Sequence, residues 1–312
     1  MSQTELAFID RLRSLANHPA ARGLEDDAAV LGDLVITHDS IAEGVHFLKD
    51  DPPASVGWKL VAVNLSDLAA KGATPVAALM GMSLGSAEWN DAFLGGVSAA
   101  CEAYGLALIG GDTISLPPDA PRVFGLTAIG RSDRDPPSRA GGKSGDALWL
   151  IGTIGDGVAG LMALTGDPRS EGPLVEAYRR PVPQLAAGQV IAPHAHAMMD
   201  VSDGLLFDLT RIMRASRCGA NVDLGALPLS RAFIADHGQG RDARLFAATG
   251  GDDYALLAAL PAGFDPALRL SLPFGTILAH IGTLTEGEEL TLHDADGDIP
   301  LPEHLGYEHR HA

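Results

Sequence analysis

Apolar positions in this chain follow two alternating spacings. From Thr4 to Asn17 the residues Leu6, Phe8, Ile9, Leu12 and Leu15 predict an amphipathic helix. Ala28 to Ile36 reads as a short hairpin turning at Gly32-Asp33. Ser55 has the form of an N-cap for a helix that runs to about Ala70 and is closed by Gly72. Val76 to Leu84 reads as a strand, and Glu88 to Tyr104 as a helix closed by Gly105. Leu106 to Ile109 and Val123 to Ile129 read as further strands, which makes an alternating α and β pattern.

That pattern breaks between Ser132 and Gly145, a stretch rich in Pro, Gly, Ser and charge, where a domain boundary is expected. Beyond it Ala147 to Ile151 predicts a strand and Gly157 to Thr165 a helix. Val182 to Ile191 is expected to be helical, and Gly204 to Arg217 forms an amphipathic helix closed by Gly219. Tyr254 to Leu260 and Ile277 to Ile281 predict strands. A chain of 312 residues suits two domains, expected over 1–138 and 139–312.

Composition narrows the functional classes. With 22 Lys and Arg against 40 Asp and Glu, the net charge of -18 makes nucleic acid an unsuitable partner. No window approaches about 18 consecutive apolar residues, so no membrane span is expected. Met1 to Leu15 carries charges throughout and lacks a signal peptide's apolar core, and a cytoplasmic location is the default expectation. Cys101 and Cys218 have no metal-ligand spacing and read as unpaired thiols in or near a core.

The placement of the acids says more than their number. Six segments set aspartate beside glycine or at an element's end: GLEDDAAVL from Gly23, THDSIAEGVHF from Thr37, NLSDLAAKG from Asn64, IGGDTISL from Ile109, MDVSDGLLFDL from Met199 and TGGDDYALL from Thr249. Hard divalent cations take oxygen ligands, and Mg²⁺ in phosphate sites is held by a few carboxylates together with the phosphates. If these aspartates converge, a cation must offset their repulsion. Asp67 is the most informative, because its helix is otherwise apolar nearly all round and an unpaired buried carboxylate is costly. Asn64, Asp67 and Lys71 share one helix face, so both an Asp67–Lys71 ion pair and a metal site fit the spacing. Gly110-Gly111-Asp112-Thr113 follows the strand LALI, either as a ligand-approaching loop or as an ordinary turn. Asp200 and Asp203 bracket Ser202 before a helix, as ligands or as caps. Asp26-Asp27 fits either a ligand pair or a solvated turn. Arg139 and Lys143 are in reach of a nucleotide or are solvated loop charges. His46 either donates a hydrogen bond to a substrate phosphate or is a packed or surface ring. The run GGKS at Gly141 is no phosphate loop, since Pro137 stands where its first glycine is required.

In their order, EGVHF, AVNLSDLAAKGATP, IGGDT, DVSDGL and GGDDY resemble the thiamine-monophosphate kinase family over essentially the whole chain. That family belongs to a superfamily with aminoimidazole ribonucleotide synthetase, selenophosphate synthetase and the hydrogenase-maturation carbamoyl dehydratase. The resemblance implies a two-domain α/β (α+β) fold. In it the N-terminal metal- and ATP-binding domains of two subunits pair their sheets into a dimeric barrel, and a C-terminal α/β domain completes the cleft. It also implies ATP-dependent phosphorylation of thiamine monophosphate to thiamine diphosphate by a homodimer, with several Mg²⁺ ions. Asp27, Thr37, His38, Asp39, Asp67, Asp112, Asp200 and Asp203 are implied as the metal set. Gly111, Asp112, Arg139 and Ser202 are implied as nucleotide contacts, and His46, Asp252 and Tyr307 as acceptor contacts. Two positions depart from the family pattern: His38, where Thr or Ser is common, and Asp252, where Glu is usual.

Transfer between two phosphates needs charge cancellation and alignment rather than a general base, so no catalytic acid or base is expected. Other synthetases of the superfamily are the nearest alternatives. The first Cys here is Cys101 and the chain ends HRHA, which departs from the selenium enzyme and the dehydratase. A non-catalytic nucleotide- or metal-binding protein is the alternative from another class.

Overall fold

The helix carrying Asp67 is where the two halves of the chain meet. A computed structural model describes residues 5–308 except residue 118, so Thr4 of the first expected helix and the terminal HRHA lie outside the described residues. Helix α1 covers Glu5–Leu12. A five-stranded sheet follows, built from β1 (Ala29–Leu31), β2 (Leu34–Ala42), β3 (Thr74–Ser83), β4 (Ala107–Ile114) and β5 (Val123–Arg131) in the order β1-β2-β5-β3-β4. Only β3 and β4 run parallel. Helices α2 (Pro53–Ala70) and α3 (Ala87–Tyr104) lie between its strands in sequence.

The second sheet has seven strands: β6 (Ala147–Ile151), β7 (Ala197–Val201), β8 (Gly219–Asp223), β9 (Ala255–Leu260), β10 (Leu278–Thr285), β11 (Leu290–Asp294) and β12 (Gly297–Ile299). Their order is β12-β11-β8-β10-β6-β9-β7. Helices α4 (Asp156–Gly166), α5 (Pro173–Arg179), α6 (Leu185–Ile191) and α7 (Leu205–Ser216) belong to this half.

Helix α2 is buried from Ser55 to Ala70 apart from Trp58, as its nearly unbroken apolar sequence requires. It packs against β2, β5 and α3 on one side and against β7, β9 and α6 on the other. One core cluster therefore joins Leu60, Leu65 and Leu68 of α2 to Leu126 of the first sheet and to Met198 and Leu256 of the second. The opposite face of the first sheet is less covered: Val76 and Leu79 are exposed, as are Leu108, Ile109 and Ile114 on the edge strand β4.

Several elements differ from the sequence expectation. Helix α2 starts at Pro53, and Ser55 donates its hydroxyl to the Pro52 carbonyl at 2.7 Å instead of capping. Helix α7 ends on Arg217 in the left-handed conformation (φ 55°), two residues before the expected Gly219. Asp200 lies within the buried strand β7, which has no alternation to betray it. Gly110 to Thr113 continue β4 rather than forming a loop, paired with Leu79 to Met82 of β3. A side chain at Gly111 would meet the Met80 carbonyl at 1.8 Å, so glycine there permits the two strands to pair.

Helices α2 and α3 approach at a glycine, with a Cβ on Gly96 placed 1.8 Å from the Ala54 carbonyl, while the neighbouring Gly95 faces open space. Gly96→Ala should therefore destabilise the protein by about 1–3 kcal/mol through overpacking. Gly95→Ala should stabilise it by about 0.5–1 kcal/mol through helix propensity. Urea unfolding of the two variants checks the pair, and like-signed shifts would contradict this packing.

Candidate active site

Three carboxylates from distant parts of the sequence converge between the two sheets. Asp27 precedes β1, Asp67 lies on α2 and Asp200 on β7, and one oxygen of each lies within 4.8 Å of the others. Asp27 is fully enclosed and has cationic partners: Arg139 Nε donates at 2.7 Å, and Lys71 Nζ lies 2.7 Å away. Lys71, itself buried, also pairs with Asp26 and donates to the carbonyls of Pro137 at 3.1 Å and Met198 at 3.0 Å. Asp67 receives a short hydrogen bond from the Thr37 hydroxyl. Asp39, two residues along β2, has its backbone N–H anchored on Asn64 Oδ1 at 2.9 Å.

The carboxylates are not equivalent electrostatically. Burial pushes the Asp67 carboxyl well above its usual range, and the charges of Asp39, Asp200 and Asp27 add to the effect. Asp200 is raised well above by burial and by Asp27, and Asp39 is raised mainly by burial. Burial acts on Asp27 too, but Arg139 and Lys71 together outweigh it and hold that carboxyl low. One aspartate thus has its own cations, and the others face an uncompensated negative site.

A cavity of about 610 Å³ opens above this cluster. On one side Asp208, wholly buried in the first turn of α7, accepts the backbone N–H groups of Ser202 and Asp203, each at 3.0 Å. Burial pushes the Asp208 carboxyl up to about 7. Arg211 bridges Asp208 at 2.9 Å and Asp203 at 2.6 Å, which shapes the turn between β7 and α7. The Tyr307 N–H donates to the Asp203 carbonyl at 2.9 Å and lays the C-terminal segment along the rim. On the other side His46 Nδ1 accepts the Ala42 N–H at 3.1 Å, which places the hydrogen of a neutral ring on Nε2. Asp252, in a left-handed conformation (φ 66°), accepts from Lys59 Nζ at 3.0 Å and from the Tyr254 hydroxyl at 2.8 Å.

Ten residues that the family resemblance implies as site residues line this cavity: Asp27, Asp39, His46, Asp67, Arg139, Asp200, Ser202, Asp203, Asp252 and Tyr307, and Asp26 lines it with them. Thr37 stands behind Asp67 and is bonded to it. The His38 side chain projects from the opposite face of β2, where Nδ1 lies 2.9 Å from Thr127 Oγ1, so only its backbone adjoins the cluster. Gly111 and Asp112 sit on the exposed edge strand β4 and do not line the cavity of their own chain. Lys143 points to His196, at 3.4 Å, rather than to the cavity. The alternative ion pair of Asp67 with Lys71 does not form, because Lys71 turns to Asp26 and Asp27.

Sequence reasoning passed over Lys59, Asp208, Arg211 and Tyr254. The signal for Lys59 was present, since it is a charge on the same apolar helix that marked Asp67. Asp208 carried no such signal, because acids in the first turn of a helix are commonplace.

Comparison with known proteins bears on the family and the fold. Residues 25–132 match the AIR synthase related protein, N-terminal domain, and residues 143–295 match the AIR synthase related protein, C-terminal domain. The thiamine-monophosphate kinase of Caulobacter vibrioides is 36% identical over 322 aligned positions, covering 98% of this chain and 91% of the relative. That of Escherichia coli K12 is 34% identical over 316 positions, covering 97% and 95%. A solved structure, AaThiL complexed with AMPPCP and TMP, is 29% identical, covers 98% of this chain and 97% of its own, and superposes with a TM-score of 0.84.

The raised carboxyls fix the sign of a pH effect. A carboxyl whose folded value lies above the unfolded one, about 4, contributes stability that is present below that value and lost as pH rises through the folded value. Asp67 and Asp200 should therefore make the cation-free protein less stable toward neutral pH, whereas the lowered Asp27 acts in the opposite direction. Asp67→Asn keeps an acceptor for Thr37 and removes the repulsion. At pH 7 with a chelator it should raise the melting temperature by a few degrees, equivalent to about 1–2 kcal/mol. It should also weaken the further stabilisation expected from Mg²⁺ in the parent. Thermal melts with and without Mg²⁺ check both signs.

Proposed function

The chain belongs to the thiamine-monophosphate kinase family, and from that premise we propose that it transfers the γ-phosphoryl group of ATP to thiamine monophosphate, giving thiamine diphosphate and ADP. The observation that carries this reading is the convergence of Asp27, Asp67 and Asp200 beneath a cleft whose rim holds His46, Asp252 and Tyr307. The relative solved with AMPPCP and TMP supports the same pair of ligands.

The donor set fits Mg²⁺. All three clustered donors are carboxylate oxygens, and two of them, Asp67 and Asp200, are pushed up by burial and by their carboxylate neighbours. Bound there, Mg²⁺ supplies charge cancellation between two polyanions. We assign Asp27, Asp39, Asp67, Asp200 and Asp203 to hold it through side chains, Thr37 to orient Asp67, and His38 to contribute only through its backbone. Arg139 and Ser202 are assigned to the nucleotide, and His46, Asp252 and Tyr307 to the acceptor. A terminal oxygen of the acceptor phosphate bonds to the γ-phosphorus, the bond to the bridging oxygen breaks, and ADP leaves with that electron pair. The attacking oxygen is already anionic near neutral pH, so no side chain has to take its proton.

Gly111 and Asp112 enter the same proposal through a second copy. Strand β4 presents unpaired backbone and the exposed Leu108, Ile109 and Ile114 at a sheet edge, a surface suited to pairing. In a homodimer joined along these sheets, Asp112 and Gly111 would serve the partner's cleft. The division at 138/139 is part of the proposal, with the first unit giving metal and dimer contacts and the second completing the cleft. A cytoplasmic location is proposed as well; among the described residues no helix is long and apolar enough to cross a membrane.

The test is Mg²⁺-dependent ADP release that requires thiamine monophosphate, with thiamine diphosphate identified as product. Turnover of another phosphate acceptor alone would overturn the reading. Asp67→Ala and Asp112→Ala should each lower turnover by about a hundredfold or more. Mixing the two inactive homodimers should restore part of the activity, since hybrids keep one intact site. No recovery on subunit exchange would place Asp112 in its own chain's site or outside any.

A further inference from the structure

Lys59 is 1% exposed, and its ammonium has three partners. It donates to Asp252 Oδ2 at 3.0 Å and to the His46 carbonyl at 2.9 Å, and it lies 3.9 Å from the centre of the Tyr178 ring. These come from three places: the second sheet's approach to β9, the turn after β2, and α5. The other Asp252 oxygen is taken by the Tyr254 hydroxyl at 2.8 Å, so both carboxylate oxygens are engaged within the protein. Asp252 and Tyr254 both have positive φ, 66° and 53°, a cost that surrounding contacts must offset. Tyr178 also donates to the His46 carbonyl at 3.5 Å, and Arg179 holds Asp51 at 2.7 Å, so the segment carrying His46 is pinned to α5 at both ends.

We infer that Lys59 is a positioning residue for the acceptor, fixing the separation of His46 and Asp252 and thereby selecting which phosphate ester is held for transfer. The inference rests on the acceptor assignment above. A buried ammonium bound to one wall alone would only stabilise that wall, whereas this one spans both residues assigned to the acceptor. It also bears on the shorter carboxylate at 252, since Lys59 and Tyr254 together determine where that carboxylate sits. The Lys59 ammonium touches neither Arg139 nor the aspartate cluster, and the link toward Ser202 is backbone alone, the Asp252 N–H donating to the Ser202 carbonyl at 2.8 Å, so the effect should fall mainly on the acceptor.

Lys59→Met keeps the aliphatic stem and removes the ammonium. In the full chain with Mg²⁺, its KM and calorimetric Kd for thiamine monophosphate should rise about tenfold while the KM for ATP stays within about twofold. Because Lys59 acts through Asp252, the double variant with Asp252→Asn should bind no more weakly than the weaker single variant. Multiplying effects, an unchanged acceptor KM, or an equal rise in both KM values would each overturn the assignment. If Lys59→Met does not fold, Lys59→Gln carries the same readouts, because it retains a donor but no charge. A parent protein that binds ATP but not thiamine monophosphate would bring down the acceptor assignment itself, a result distinct from an unaffected Lys59 variant.

Discussion

Lys71 carries its charge into a place without water and finds four partners there: the carboxylates of Asp26 and Asp27 and the carbonyls of Pro137 and Met198. Those groups belong to the entry to the first sheet, the segment joining the two halves, and the edge strand β7 of the second sheet. Removing one partner of such a pair leaves a buried charge unsatisfied, at a cost of about 3–5 kcal/mol. The ammonium therefore ties three separate stretches of chain to the end of α2. It does so beside the cluster, and the geometry of Asp27 and Asp200 follows from it.

The same contact divides the acids into two kinds. Asp26 and Asp27 have cations of their own in Lys71, Arg22 and Arg139. Asp67 accepts from the Thr37 hydroxyl and Asp39 is anchored through its backbone N–H, but among the described residues neither they nor Asp200 pair with an ammonium or guanidinium, and burial pushes all three carboxyls up. Fully paired acids would bind metal weakly, because the ion would have to displace a protein cation. Fully unpaired acids would destabilise the fold before any metal arrived. A mixture keeps the site formed and still short of positive charge, which is the condition a site for Mg²⁺ and phosphates requires.

Much of this was legible in the sequence, for identifiable reasons. The burial of α2 was legible because its residues are apolar nearly all round, and the Gly32-Asp33 hairpin because its turn chemistry is local. The strand identity of Asp200 was not, since a short, fully buried strand carries no periodicity. Nor was the extension of β4 through its glycines, which depends on pairing with β3, a contact no local signal reports. The partners of Lys71 were not legible for the same reason. Spacing along α2 offered Asp67, while the fold brought in Asp26 and Asp27 from the N-terminal loop. Asp208 escaped notice because its role depends on two backbone N–H groups just before its helix, a shape rather than a composition.

Helix α2 also sets a distance. Lys59 and Asp67 are eight residues apart on one unbroken helix, so the acceptor clamp and the carboxylate cluster are separated by about 12 Å along its axis. A helix that rigid cannot adjust this spacing when ligands arrive. The partners of its polar residues come from the second half of the chain: Asp252 for Lys59, the Met198 carbonyl for Lys71, and Asp200 beside Asp67. Any movement of that half away from α2 would break two ammonium contacts at opposite ends of the helix at once. Rotation about either end strains the other. The second half is thus held to α2 at two points, and both points carry groups assigned to the ligands.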